Sequence, residues 1–311
     1  MKNIAIVGSG ICGLATAYTL VERGHHVTVY AKNFPPETTS NRAAAFWFPY
    51  HIENDLRCIR WSQASYQRYV ALMDDTATGI SMRQLHKVSK STDAPANYWK
   101  DFIPANSCST LKVTAFPADF QEGYALQVPL VETQRFLPWL LDDLSRKGVQ
   151  FIRREVKALG ELTASHEWVI NCTGLGSRVL CHDQEIYPIR GQVVLLPPQQ
   201  GMPIFLYEEQ PFYIVPRQDA TVVGGTFEEN VWDTTPEPAT LQRLYQQAVR
   251  LFPELSEQPM VGSWAGLRPF RKIIRLEQEP GQNIIHNYGH GGSGFTLAWG
   301  CAEDIAHLIG G

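Results

Sequence analysis

The 311 residues, 44% of them hydrophobic, exceed what one hydrophobic core usually holds, so one large α/β domain or two interlocked domains are expected. A formal charge of −4 with a pI near 6.1 offers no broad attraction to nucleic acid or to anionic lipid, so any bound anion needs a local site. The six cysteines (Cys12, Cys58, Cys108, Cys172, Cys181, Cys301) stand without CxxC pairs or close His partners, which argues against a zinc site or a disulfide framework and for a reduced, cytosolic setting.

In chain order, Asn3 to Val7 is a short apolar run entering a glycine-rich turn, after which Leu14, Ala17, Tyr18 and Val21 recur at helical spacing until Gly24. The glycines at 8, 10 and 13 break the apolar run of residues 1–20, which therefore reads as a turn and not as a signal peptide. No other segment is long and apolar enough to span a bilayer. His26 to Tyr30 alternates as a second strand, completing a βαβ opening. Residues 33–50, with Pro35, Pro36 and Ala43-Ala44-Ala45, read as a loop meeting another helix. Asp55–Met73 and Glu132–Lys147 read as amphipathic helices, and Pro138 would suit the first turns of the latter better than its middle.

Phe151–Val156 and Trp168–Asn171 read as strands returning to the first sheet. Three β-rich runs, Gln192–Leu196, Phe212–Val215 and Thr221–Phe227, argue for an antiparallel sheet distinct from the opening unit. Leu241–Phe252 is a further helix, ending before Pro253. The expected fold class is α/β: a Rossmann-like dinucleotide-binding unit interrupted by an antiparallel β-rich substrate unit.

The turn Gly8-Ser9-Gly10-Ile11-Cys12-Gly13 follows a strand and opens a helix, the context in which a GxGxxG pattern carries weight. Its glycines allow a tight turn and let backbone N–H groups approach a pyrophosphate at the helix N-terminus. The pattern alone does not separate NAD, NADP and FAD. The second strand ends Tyr30-Ala31-Lys32-Asn33, without the usual acid for the adenosine ribose. Lys32 either faces a 2′-phosphate, favouring NADP, or is a solvated surface lysine.

Near the C-terminus stands His286-Asn287-Tyr288-Gly289-His290-Gly291-Gly292-Ser293-Gly294-Phe295-Thr296, followed by a helical segment, Leu297–Ile309. Small residues here let backbone come close to a flat ligand, and the helix start stabilises negative charge, as on a reduced isoalloxazine. Two anion-ready helix N-termini suit FAD better than a nicotinamide.

Taken with Thr38-Thr39-Ser40, Ala43 to Tyr50, Val169 to Gly174, Arg190-Gly191-Gln192, Tyr213 to Pro216 and Gly266 to Arg271, the chain resembles the D-amino-acid oxidase family, which includes D-aspartate oxidases, nearly end to end. The resemblance implies a discontinuous FAD-binding domain over residues 1–50, 130–185 and 272–311, with 51–129 and 186–271 forming the substrate domain. It implies that Arg268 pairs with the substrate carboxylate, a task suited to a planar guanidinium. Tyr213 would donate its hydroxyl to the same carboxylate, and the Gly292 carbonyl would hold the amine. FAD contacts are implied for Gly8 through Gly13, Lys32, Thr38, Thr39, Ser40, Ala44, Ala45, Phe46, Val156, Cys172, Thr173, Gly174, Arg268 and His290 through Thr296. No catalytic acid or base is assigned: if the amine enters neutral, flavin N5 can take the α-hydrogen as hydride.

The chain departs from the family pattern at several positions. The family's other active-site tyrosine falls on Glu209 in a gapless reading, with Tyr207 a small shift away. Lys32 replaces the usual acid, and Ser293 stands where the family often has an aromatic residue, so a wider site is expected. D-aspartate oxidases tend to carry an Arg after Gly-Gly-Thr; here that position is Phe227, so a second carboxylate would be unpaired. Neutral, apolar or aromatic D-amino acids are the expected substrates, with O₂ as co-substrate, unless Arg217 points inward. The alternatives are a D-aspartate oxidase, a glycine or N-methyl-amino-acid oxidase, a non-catalytic flavin-binding module, and, on Lys32 alone, an NADP-dependent dehydrogenase. Without a Ser-Lys-Leu type ending, a cytoplasmic protein is expected, and relatives are often homodimers.

Overall fold

The computed structural model describes residues 1–50, 52, 56–92, 94–103 and 107–310. The chain opens with β1 (Asn3–Val7), α1 (Ile11–Glu22) and β2 (His26–Ala31). β1 is flanked in parallel by β2 and by β7 (Trp168–Asn171), and Ile4, Ala5 and Ile6 are all inaccessible to solvent. A parallel strand covered on both faces needs an apolar run of this kind, not an alternating one. β6 (Gln150–Arg153) pairs outside β2, and β14 (Ile284–His290) pairs outside β7, both in parallel.

The antiparallel half comprises β3 (Ile80–Ser89), β4 (Cys108–Thr110), β5 (Glu122–Val131), β8 (Tyr187–Leu196), β9 (Ile204–Tyr207), β10 (Phe212–Pro216), β11 (Thr221–Gly224) and β13 (Gly262–Gln278); only its β3–β9 pair is parallel. Among the described residues the two halves form one continuous sheet in the order β4-β5-β3-β9-β10-β11-β8-β13-β14-β7-β1-β2-β6, with the short β12 (Glu228–Glu229) against β8. The antiparallel strands are therefore not a separate sheet: β13 pairs β8 along one stretch and β14 along another.

Helices α2 (Leu56–Leu72), α3 (Thr133–Arg146) and α6 (Gly294–Leu308) pack with α1 around the parallel strands. α4 (Ser177–Leu180) is a single turn after β7, and α5 (Pro238–Leu251) covers the antiparallel half with Leu244, Ala248 and Leu251. The two leucines each contribute roughly 2 kcal/mol of burial free energy. Pro138 sits inside α3, within its second turn, where its missing N–H removes a bond but the buried Phe136, Leu137 and Leu140 hold the helix in place.

Several sequence-level expectations change. Residues 33–50 hold only a 3₁₀ turn, Thr39–Arg42, and no further helix. His286–His290 is buried strand, and the last helix begins at Gly294, before Leu297. β6 stops at Arg153, leaving 154–156 to line a cavity, and β11 stops at Gly224.

Candidate active site

One cavity of about 660 Å³ runs across the C-terminal edge of the parallel strands into the antiparallel half. Its first end is built by the β1–α1 turn. Gly8 has φ +114, and a Cβ there would lie 2.4 Å from the Cys172 carbonyl oxygen, so only glycine permits this approach of β1 to β7. Gly8 N–H donates to Tyr30 O at 2.8 Å and Ser9 Oγ to Asn33 O at 2.6 Å, tying the turn to the end of β2. The α1 N-terminus opens at Gly10, and Ser40 Oγ accepts from Ile11 N–H at 3.0 Å. This is the geometry that receives an anion: free N–H groups, a helix dipole and a hydroxyl able to turn aside.

The second helix N-terminus, at α6, is clamped to the 48–50 segment. Thr296 Oγ1 donates to Phe48 O at 2.8 Å, and Ser293 Oγ donates to Tyr50 O at 2.7 Å. Val131 N–H donates to Ala45 O and Trp47 N–H to Pro129 O, both at 2.8 Å. Ala44, Ala45, Phe46 and Phe48, together with Gly291, Gly292 and Gly294 to Thr296, therefore line one stretch of the cavity. His290 is enclosed, with Cys12 Sγ 3.5 Å from Nδ1 and Cys301 Sγ 3.5 Å from Nε2. Burial pushes its imidazole down to about 4, so it is neutral at pH 7.

At the far end Arg268, on β13, lies across Gly191 of β8; a Cβ on Gly191 would be 2.3 Å from Arg268 Nη2. Its Nη1 donates to Thr226 O at 2.9 Å, and among the described residues it has no carboxylate partner. Tyr213, on β10, and Tyr50 share this end with Phe46, Val193 and Leu206. Tyr50 is close enough to Arg268 for the guanidinium to favour its phenolate, although burial, the larger effect, pushes the hydroxyl well above its ordinary range.

All the sequence-predicted site residues line this cavity except Gly13 and Ser293. Gly13 instead lets α1 approach the turn, since a Cβ there would meet Gly8 O at 2.0 Å. Neither candidate for the second tyrosine is in the cavity wall: Tyr207 packs on Phe120 with ring centroids 5.2 Å apart, and Ser89 Oγ donates to Glu209 Oε1. Tyr50 is the tyrosine that stands beside Arg268, and nothing in its local sequence marked it out from its neighbours. Arg217 is paired with Asp219 and does not line the cavity; nor does Phe227. Glu155, Arg42 and Asn287 are lining residues that sequence reasoning missed.

A parallel sheet with a glycine turn at one end of a cavity, two helix N-termini along it and, at the other end, a half-buried arginine without a carboxylate partner among the described residues fits a dinucleotide-dependent enzyme. The family model described as FAD dependent oxidoreductase (DAO) matches residues 3–308, and the chain belongs to that family. It is 36% identical to a D-amino-acid oxidase of Rubrobacter xylanophilus over all of this chain and 96% of that protein. It is 29% identical to a D-aspartate oxidase of Homo sapiens, over 99% of this chain and 94% of that one. The fold matches a glycine oxidase structure from Geobacillus kaustophilus with a TM-score of 0.86 at 18% identity, covering 99% and 94% of the two chains. The cofactor is therefore FAD, and the Gly8 approach and the two helix N-termini fit it.

Proposed function

We propose that the protein oxidatively deaminates neutral, apolar or aromatic D-amino acids: substrate, O₂ and water give a 2-oxo acid, ammonia and H₂O₂. The observation that carries this reading is Arg268, held by Thr226 O and lacking a carboxylate partner among the described residues, at the cavity end where Tyr213, Tyr50 and Gly292 meet. In this reading the guanidinium takes the substrate carboxylate in a bidentate pair, Tyr213 donates a further hydrogen bond, and the Gly292 carbonyl accepts from the amine. The redox chemistry supplied by the cofactor when bound is acceptance of two electrons and the α-hydrogen, followed by reoxidation by O₂. His290, neutral and enclosed by two thiols, is no general base, in keeping with a protein that contributes orientation and electrostatics.

The apolar wall of Phe46, Phe48, Val193 and Leu206 supports a neutral side chain. The inward alternative for Arg217 has no support, since that residue is bound to Asp219. Arg42 also lines the cavity, but it is exposed and stands over Trp264, 5.8 Å from the ring centroid. The six cysteines, all free, support a reducing, cytoplasmic setting. The proposed FAD domain of residues 1–50, 130–185 and 272–311 is supported by its containing the five strands of the parallel half, β1, β2, β6, β7 and β14.

The test is anaerobic titration of the yellow protein with D- and L-amino acids, following flavin bleaching in the native enzyme and in Arg268→Ala. Bleaching by neutral D-amino acids, weakened by about a hundredfold or more in apparent affinity when the charged hydrogen bonds are lost, is expected. Bleaching by D-aspartate in preference, or by no amino acid, would overturn the assignment.

A further inference from the structure

In a βαβ dinucleotide site the carboxylate that accepts hydrogen bonds from the adenosine ribose ordinarily stands at the end of the second strand. Here β2 ends at Ala31 and is followed by Lys32 and Asn33, neither of them a carboxylate. The ribose hydroxyls still need acceptors, since hydroxyls leaving water without partners weaken binding.

The neighbouring strand supplies one. β6 runs parallel to β2 with Ala31 opposite Arg153, and Arg154 N–H donates to Ala31 O at 2.9 Å. That register sets residues 154–156 beside 32–33, one strand spacing of about 4.8 Å outward. Lys32 Nζ lies 3.6 Å from Glu155 Oε1, and Lys157 Nζ lies 2.7 Å from Oε2. Lys32, Glu155, Val156 and Lys157 all line the cavity at this end. The hydrogen bond from Lys157, then the charges of Lys157 and Lys32, hold the Glu155 carboxyl below its ordinary range, so it is an ionised acceptor. Glu37, another carboxylate lining this end, is turned to Arg153 Nη1 at 3.2 Å.

We propose that Glu155, at the end of β6, supplies the carboxylate that accepts the adenosine ribose hydroxyls of FAD, with Lys32 positioning it from the place where the acid would ordinarily stand. The proposal rests on the FAD assignment. It also accounts for Lys32 without a 2′-phosphate, because the lysine already faces a carboxylate.

The test follows flavin fluorescence as protein stripped of flavin is titrated with FAD and with an FAD analogue whose adenosine lacks both ribose hydroxyls. Glu155→Gln is expected to weaken FAD binding on the order of tenfold, the loss of a charge-assisted hydrogen bond, and to leave the analogue's affinity unchanged. Adding Lys32→Asp to Glu155→Gln returns an acid to the end of β2 and is expected to recover FAD affinity. Equal weakening of both ligands, no weakening of FAD, or an FAD-specific loss from Glu37→Gln instead would overturn the proposal. Native protein that binds neither ligand would overturn the cofactor assignment itself, a result distinct from any pattern among the variants.

Discussion

His290 shows how a residue's surroundings, and not its type, decide its chemistry. An unperturbed histidine titrates at about 6.5 and often serves as a base, but here enclosure between Cys12 and Cys301 lowers the pKa from the ordinary 6.5 to about 4. The unfolded chain then binds a proton that the folded chain refuses throughout that window. Stability from this residue is complete above about pH 6.5 and is lost as pH falls towards 4, by roughly 3 kcal/mol. Urea unfolding between pH 4 and 7.5 should show that slope, and His290→Gln should flatten it; an unchanged slope in the variant would place the effect elsewhere. Arg268 was legible from its Leu267–Pro269 setting and its motif. Tyr50 was not, because its place beside Arg268 comes from the clamp of residues 48–50 onto α6.

At the scale of elements, helices with a clear apolar stripe were legible to within a few residues. α5 was expected over Leu241–Phe252 and spans Pro238–Leu251; α3 was expected over Glu132–Lys147 and spans Thr133–Arg146. β13 was not recognised, since its 17 residues include Arg268, Arg271, Lys272, Arg275 and Glu277 and show no clean alternation. Its strand character is imposed by pairing with β8 on one side and β14 on the other. The α2–α6 contact likewise depends on tertiary fit: a Cβ on Gly300 would lie 2.2 Å from Trp61 Cα. Gly300→Val should force these helices apart and cost about 3 kcal/mol or more in denaturant unfolding. Because α6 carries the Gly294–Thr296 part of the cavity, FAD affinity should fall with it. A variant with native stability would show that the helices separate without strain.

For the whole molecule, the cavity draws on segments from Val7 to Thr296 and on both halves of the sheet. A ligand filling it stabilises the folded chain by mass action, about 2.7 kcal/mol at a hundredfold excess over Kd. Calorimetry of protein stripped of flavin, with FAD added back, should raise Tm by roughly 5–10 °C. Added FAD that leaves Tm unmoved would mean that this cavity is not where it binds. No helix among the described residues is long and apolar enough to cross a membrane, and none of their His, Cys, Asp and Glu side chains form a metal-binding group.

By itself the sequence determined the features that depend on local stereochemistry: the β1–α1 glycine turn, the helical periodicities, and the order of motifs that marks an FAD enzyme of this family. Tertiary structure alone decided that the two sheet halves are continuous through β13, that Arg217 is bound to Asp219, and that Tyr50 and Glu155 face the cavity. The physical reason is range. Turns and helices are set by neighbours within about four residues. Strand register and side-chain pairing are set by residues distant in the chain, such as Lys32 and Glu155, that meet only when the sheet forms.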